Sequence, residues 1–197
     1  MHPGYISGHW YATIPHGRVE KGAPVLTGYI RFYPFVIHEP ITVSHLGCRI
    51  ITPARGGKLC LCIYSNDAAS GGPYGPSLRT PGGFNPEEGE IDTSVAGLVS
   101  APCAGAAINN TLQPGLYWSG IKTDNNYVVV QSMRMDQPNA AYYAGSPNQP
   151  NISAGLTQSD FHIPVQCNYG SDWNYYGGPN WSRSGAPRWA HIHMKAA

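Results

Sequence analysis

Charge is scarce in this 197-residue chain: Asp, Glu, Lys and Arg make up 12% of it, where soluble proteins usually carry about 25%. Twelve basic residues stand against eleven acidic ones, a net charge of +1. The concentrated positive field that phosphate backbones demand is therefore missing, and nucleic acid is not an expected partner. Long apolar runs are missing too. No stretch approaches the roughly 18 apolar residues of a membrane-spanning helix, so no membrane insertion is expected. The opening Met1-His2-Pro3-Gly4-Tyr5 does not lead a basic segment into an apolar one, as a secretory signal does. The expectation is a soluble protein that is not exported. Also missing are the Gly-x-Ser-x-Gly elbow, the His-Glu-x-x-His zinc motif and a Gly-rich phosphate loop with Lys, the minimal parts of acyl-transfer, metalloprotease and nucleotide chemistry. No catalytic residue and no cofactor is assigned. A glycosidase needs only two carboxylates at the right separation, and eleven acids leave that question to the fold.

Uninterrupted helix-length segments are few, because 24 Gly and 18 Pro break up the chain. The longest interval free of both, Ile121 to Gln137, contains Tyr127-Val128-Val129-Val130, whose β-branched residues favour a strand. What the chain has instead is a series of short apolar runs fenced by Gly, Pro, Asn or Asp. Arg31 to Ile37, Ile41 to Thr52, Lys58 to Asp67 and Leu112 to Trp118 alternate or are β-branched, as sheet strands require. Spacing predicts further strands at Trp10 to Ile14, Tyr127 to Met133, Gly155 to Gln158, Phe161 to Gln166 and Arg188 to Met194. Gly17 to Pro24 reads as a loop. Ala68 to Ile91, with Gly71-Gly72-Pro73, Gly75-Pro76 and Pro81-Gly82-Gly83, reads as a long surface excursion.

The reading is all-β: an antiparallel β-sandwich of jelly-roll type, with residues 1–28 as a lead-in or connector and 29–197 as one sandwich domain. Phe35, Ile37, Leu59, Leu61, Ile63, Leu116 and Trp118 are the expected core. Alternation puts Leu59, Leu61 and Ile63 on one face and Cys60, Cys62 and Tyr64 on the other. All six are apolar enough to bury, so both faces need cover, one from the opposite sheet and one from loops or a neighbouring subunit. Five cysteines, Cys48, Cys60, Cys62, Cys103 and Cys167, leave at least one without a bridge. Cys60 and Cys62, two apart in a strand, have Cα atoms about 6.6 Å apart and near-parallel side chains, poor geometry for a mutual bridge. Buried inert thiols are the plain expectation.

In order and wording these strands resemble the β-sandwich modules that end bacteriophage tail-fibre and head-fibre proteins. Those modules repeat a Pro-Phe strand (Pro34-Phe35), a Leu-Gly strand (Leu46-Gly47), a strand ending in Tyr-x-x-Asp (Tyr64 to Asp67) and a Pro-Gly-Leu-Tyr-Trp strand (Pro114 to Trp118). Ala186-Pro187-Arg188 before a final alternating strand is similar to how many of them finish. The likeness spans roughly residues 28–197 and is most specific in 31–67 and 112–118. It implies a virion appendage protein, assembled in the host cytoplasm, homotrimeric, joined to other virion structural proteins and meeting a host surface glycan.

Three constellations are candidates for a site. Asp172, Trp173, Tyr175, Tyr176, Trp181 and Arg183 gather aromatics and both charge signs into one loop. Sugar C–H faces stack on Trp and Tyr while Asp and Arg pair with hydroxyls, so this segment suits a glycan; buried at an interface, the same rings are equally at home. His191 and His193 lie two apart on a strand, one face holding both imidazoles, a weak metal candidate against the plainer reading of solvent-facing histidines. Pro86 to Asp92 holds four carboxylates in seven residues, enough oxygen for calcium but without a calcium-loop spacing. A solvated acidic turn guarding a sheet edge is the plainer reading.

Overall fold

Alternation of large aromatic and aliphatic residues turns Tyr29–Ile37 into a strand whose successive side chains bury on opposite sides. The same holds for Lys58–Asp67 and Gly115–Thr123, and these three pair side by side. The computed structural model describes residues 4–13, 18–25, 29–68, 72–80, 90–103, 108–134, 163–166 and 188–197. Within them the strands are β1 (Trp10–Ala12), β2 (Arg18–Pro24), β3 (Tyr29–Ile37), β4 (Ile41–Thr52), β5 (Lys58–Asp67), β6 (Gly72–Arg79) and β7 (Ile91–Asp92). They continue with β8 (Gly97–Pro102), β9 (Thr111–Leu112), β10 (Gly115–Thr123), β11 (Val129–Arg134), β12 (Ile163–Gln166), β13 (Arg188–Ala190) and β14 (Ile192–Ala196). The single helical piece among the described residues is the 3-10 turn Ile108–Asn110.

Two antiparallel sheets result. One runs β12-β3-β10-β5-β6 with β7 beside β5; the other runs β1-β14-β4-β11-β13, with β8 and β9 on β4 and β2 on β11. Between them lies one core, in which Tyr33, Phe35, Ile37, Leu59, Leu61 and Ile63 from the first sheet meet Val43, Leu46, Ile50, Val130, Ile192 and Met194 from the second. Each such side chain contributes about 1.5–3 kcal/mol on burial. The all-β, two-sheet reading of the sequence is what the chain forms.

The first sheet is buried on its other face as well. Phe32, Cys60, Cys62, Tyr64 and Lys122 are at most 1% exposed and Trp118 2%. The Phe32 and Tyr64 rings meet edge-on with centroids 4.7 Å apart, and the Trp118 indole Nε1–H donates to Asn66 Oδ1 at 2.9 Å. This burial is that of one chain, so no neighbouring subunit is needed to cover Cys60, Cys62 and Tyr64. Trp118 thus belongs to the second face and not to the inter-sheet core, and Leu116, expected in the core, is half-buried.

Strand β4 is the axis of the second sheet, pairing with β14 and β11 along one edge and β9 and β8 along the other. Its inward residues change parity, from Ile41 and Val43 to Leu46, Cys48 and Ile50. A register shift explains this: Lys195 faces His45 but Ala196 faces Val43, so Ser44 is the extra residue of a bulge. The C-terminal strand is broken at His191, pairing with β11 before it and with β4 after it.

Two segments read as loops are strands. Arg18–Pro24 pairs with β11, and its charged residues hid the pattern; a bulge opposite Gln131 places Gly22 at φ +43, a conformation glycine adopts readily. Gly72–Arg79 pairs with β5 despite Pro73 and Pro76. It ends the sheet path, and an edge strand tolerates proline because its outer N–H positions need no partner. Strand β8 was not foreseen, and the predicted strand Gly155 to Gln158 lies outside the described residues.

Candidate functional site

The aromatic loop residues Asp172, Trp173, Tyr175, Tyr176, Trp181 and Arg183 lie outside the described residues, as does Cys167. Of the acidic turn, only Glu90 to Asp92 is described. Asp92 Oδ1 accepts from the backbone N–H of Ser94 at 2.9 Å and from its hydroxyl at 2.7 Å. These bonds hold its carboxyl below the usual range, as expected of a carboxylate whose charged form is solvated by donors. A glycosidase general acid must keep its proton near neutrality, so Asp92 is suited to holding a turn and not to that role.

His191 and His193 are brought together, their ring centroids 4.1 Å apart at an interplanar angle of 50°. The expectation of solvent-facing imidazoles needs correcting: both residues are half-buried, and the two ring nitrogens of His191 are shielded from solvent with no hydrogen-bond partner. Desolvation pushes the pKa of His191 down, and that of His193 down to about 4, with the neighbouring His191 adding to it. Both rings are therefore neutral at neutral pH. Among the described residues no group of three or more His, Cys, Asp or Glu is placed to hold a metal ion. The thiols of Cys48, Cys60, Cys62 and Cys103 are buried, and burial raises Cys48 and Cys103 to about 12, which removes them as nucleophiles.

A different cluster emerges at one end of the sandwich, where three turns interlock: Pro53 to Gly57 between β4 and β5, Thr93 to Ala96 between β7 and β8, and Asp124 to Val128 between β10 and β11. Ala54 N–H donates to Thr93 O at 2.9 Å, Thr93 N–H to Gly57 O at 3.1 Å, and Gly56 N–H to Ser94 Oγ at 3.2 Å. The Thr93 hydroxyl, fully buried, donates to Ala54 O at 2.9 Å. The third turn is tied on by Lys58 N–H donating to Asp124 Oδ1 at 2.6 Å and by Thr123 Oγ1 donating to Lys58 O at 2.7 Å. Asn125 Oδ1 accepts from Tyr127 N–H at 2.8 Å, an Asx turn that fixes the backbone of Tyr127.

This bonding leaves large side chains outside. Tyr127 is 80% exposed and Val95 67%, and Arg55, Asp92, Asp124 and Asn126, on or beside the same turns, are also exposed. Sequence reasoning assigned Tyr127 to the start of a strand and so missed it. The available signal was Asn125-Asn126 immediately before it, a turn-forming pair. Compared with known proteins, the sequence matches no protein-family model and no curated relative.

Proposed function

We propose that the chain is a fibre or spike component of a bacteriophage virion, a non-catalytic β-sandwich of jelly-roll type that displays loops to a host surface glycan. In this reading it is homotrimeric, joined to other virion structural proteins, and located on the virion after assembly in the host cytoplasm. One observation supports it above the others. The segments whose wording resembles phage appendage modules occupy the centre of the fold: β3, β10 and β5 are consecutive in one sheet, and β4 is the axis of the other. The resemblance thus falls on the strands that determine the two-layer packing.

Adsorption tests the proposal. The purified protein should bind susceptible host cells, compete with the phage for them, and release no oligosaccharide from host capsule or lipopolysaccharide. Absence of cell binding would overturn the attachment role, and released oligosaccharide would replace it with a polysaccharide depolymerase.

A second reading, a decoration or connector protein that binds other virion proteins, is favoured by one feature. Leu98 on β8 is 60% exposed, Val95 just before that strand is 67% exposed, and Ile51 on the adjoining β4 is 40% exposed. Localisation on intact particles separates the two: a tip position facing outward fits attachment, and a position enclosed by other subunits fits assembly.

A further inference from the structure

We infer that the three interlocked turns form a carbohydrate contact centred on Tyr127, taking a neutral sugar chain. The inference rests on the glycan-attachment reading and assigns that role to residues outside the 172–183 segment. Three observations carry it. First, Tyr127 leaves 80% of its surface in water although its own backbone is fixed by Asn125 and the turn before it by Lys58 and Thr123. A bare ring on a flexible loop must be ordered on binding, whereas one on a bonded turn presents its face without that cost.

Second, the residue types on these turns match a sugar. Tyrosine offers an apolar face and a hydroxyl to a ligand that has C–H faces and hydroxyls of its own. Arg55, Asp92 and Asp124, exposed on or beside the same turns, supply donors and acceptors at that end of the sandwich. Third, charge is balanced. Arg55 and Lys58 oppose Asp92 and Asp124, so the rim has no net field to draw an acidic polymer and suits an uncharged one.

The rim is rigid because the turns touch closely. A β-carbon at position 57 would stand 2.6 Å from Thr93 Oγ1 and 2.9 Å from Asn125 Cβ, so the second and third turns meet over Gly57. Tyr127 and Val95 are thereby held on one end of the sandwich without either ring or side chain being part of the core.

The test uses the full chain on an array of neutral and acidic bacterial surface polysaccharides, with Tyr127→Ala and Tyr127→Phe beside the wild type. Thermal stability should be the same for all three, since the ring is exposed. Wild type and Tyr127→Phe should bind neutral polysaccharide, and Tyr127→Ala should lose roughly tenfold in affinity. Equal binding by Tyr127→Ala would overturn the rim assignment and leave the attachment reading standing. Binding of the array without binding of host cells would keep the rim as a sugar site and remove the attachment reading. Self-association abolished by Val95→Asp and Leu98→Asp, with no array binding, would overturn the inference in favour of a protein contact.

Discussion

Gly120 of β10 lies opposite both Phe32 of β3 and Cys62 of β5, so that a β-carbon on it would stand 2.5 Å from the Cys62 sulfur and 2.9 Å from the Phe32 ring. The glycine is there because three strands converge on a face already filled by large side chains. Gly120→Ala is expected to destabilise the protein by about 1–3 kcal/mol through overpacking, measured by denaturant unfolding. Adding Cys62→Ala removes the nearer clash, so the double variant should recover part of that loss. Simple additivity of the two changes would show that the residues do not share this space.

The closely packed, mutually tilted rings of His191 and His193 predict acid sensitivity. Both imidazoles have pKa values below the ordinary 6.5 in the folded chain, His193 at about 4, so between those values the unfolded chain binds more protons than the folded one. Stability is then fully present above pH 6.5 and falls as pH drops toward 4. Neither residue is fully buried, so the effect is a few degrees in Tm and not collapse. A scan of Tm against pH should show this slope, and His193→Phe should flatten it. An unchanged slope in that variant would locate the titration elsewhere.

Gly57→Ala probes the end of the sandwich. The added methyl group would force Thr93 and Asn125 apart, and about 1–3 kcal/mol of stability should be lost. Backbone amide signals of residues 93–95 and 124–127 should shift together in a spectrum of the variant, because the turns are bonded through residues 54–58. Shifts confined to residues next to position 57 would contradict that coupling.

Thiol accessibility offers a second check on the core. Cys48, Cys60, Cys62 and Cys103 are buried and so out of reach of a reagent, and burial raises Cys48 and Cys103 to about 12. In the native protein at most one thiol, Cys167, should react with a thiol-specific reagent, and all five should react after unfolding. Two or more fast-reacting native thiols would show that the described packing is wrong.

The sandwich was legible wherever alternation was strong. Tyr29–Ile37, Ile41–Thr52 and Lys58–Asp67 carry their strand character in β-branched and aromatic residues, and six of the seven expected core side chains are buried. What escaped was set by partners distant in sequence. Arg18–Pro24 is a strand because β11 offers it a free edge, and Gly72–Arg79 because β5 does; neither segment announces this locally. The parity change in β4 was hidden for the same reason, since a bulge depends on the register of β14. The candidate glycan loop falls outside the described residues, and the exposed ring of Tyr127 was masked by the valines that follow it.

Burial on both sides of β3, β10 and β5 has an evolutionary corollary. A layer with so little wetted surface offers few positions at which a side chain can change without cost, whereas the exposed turns can vary more freely. A protein built this way can exchange residues on its rim while its scaffold stays constant.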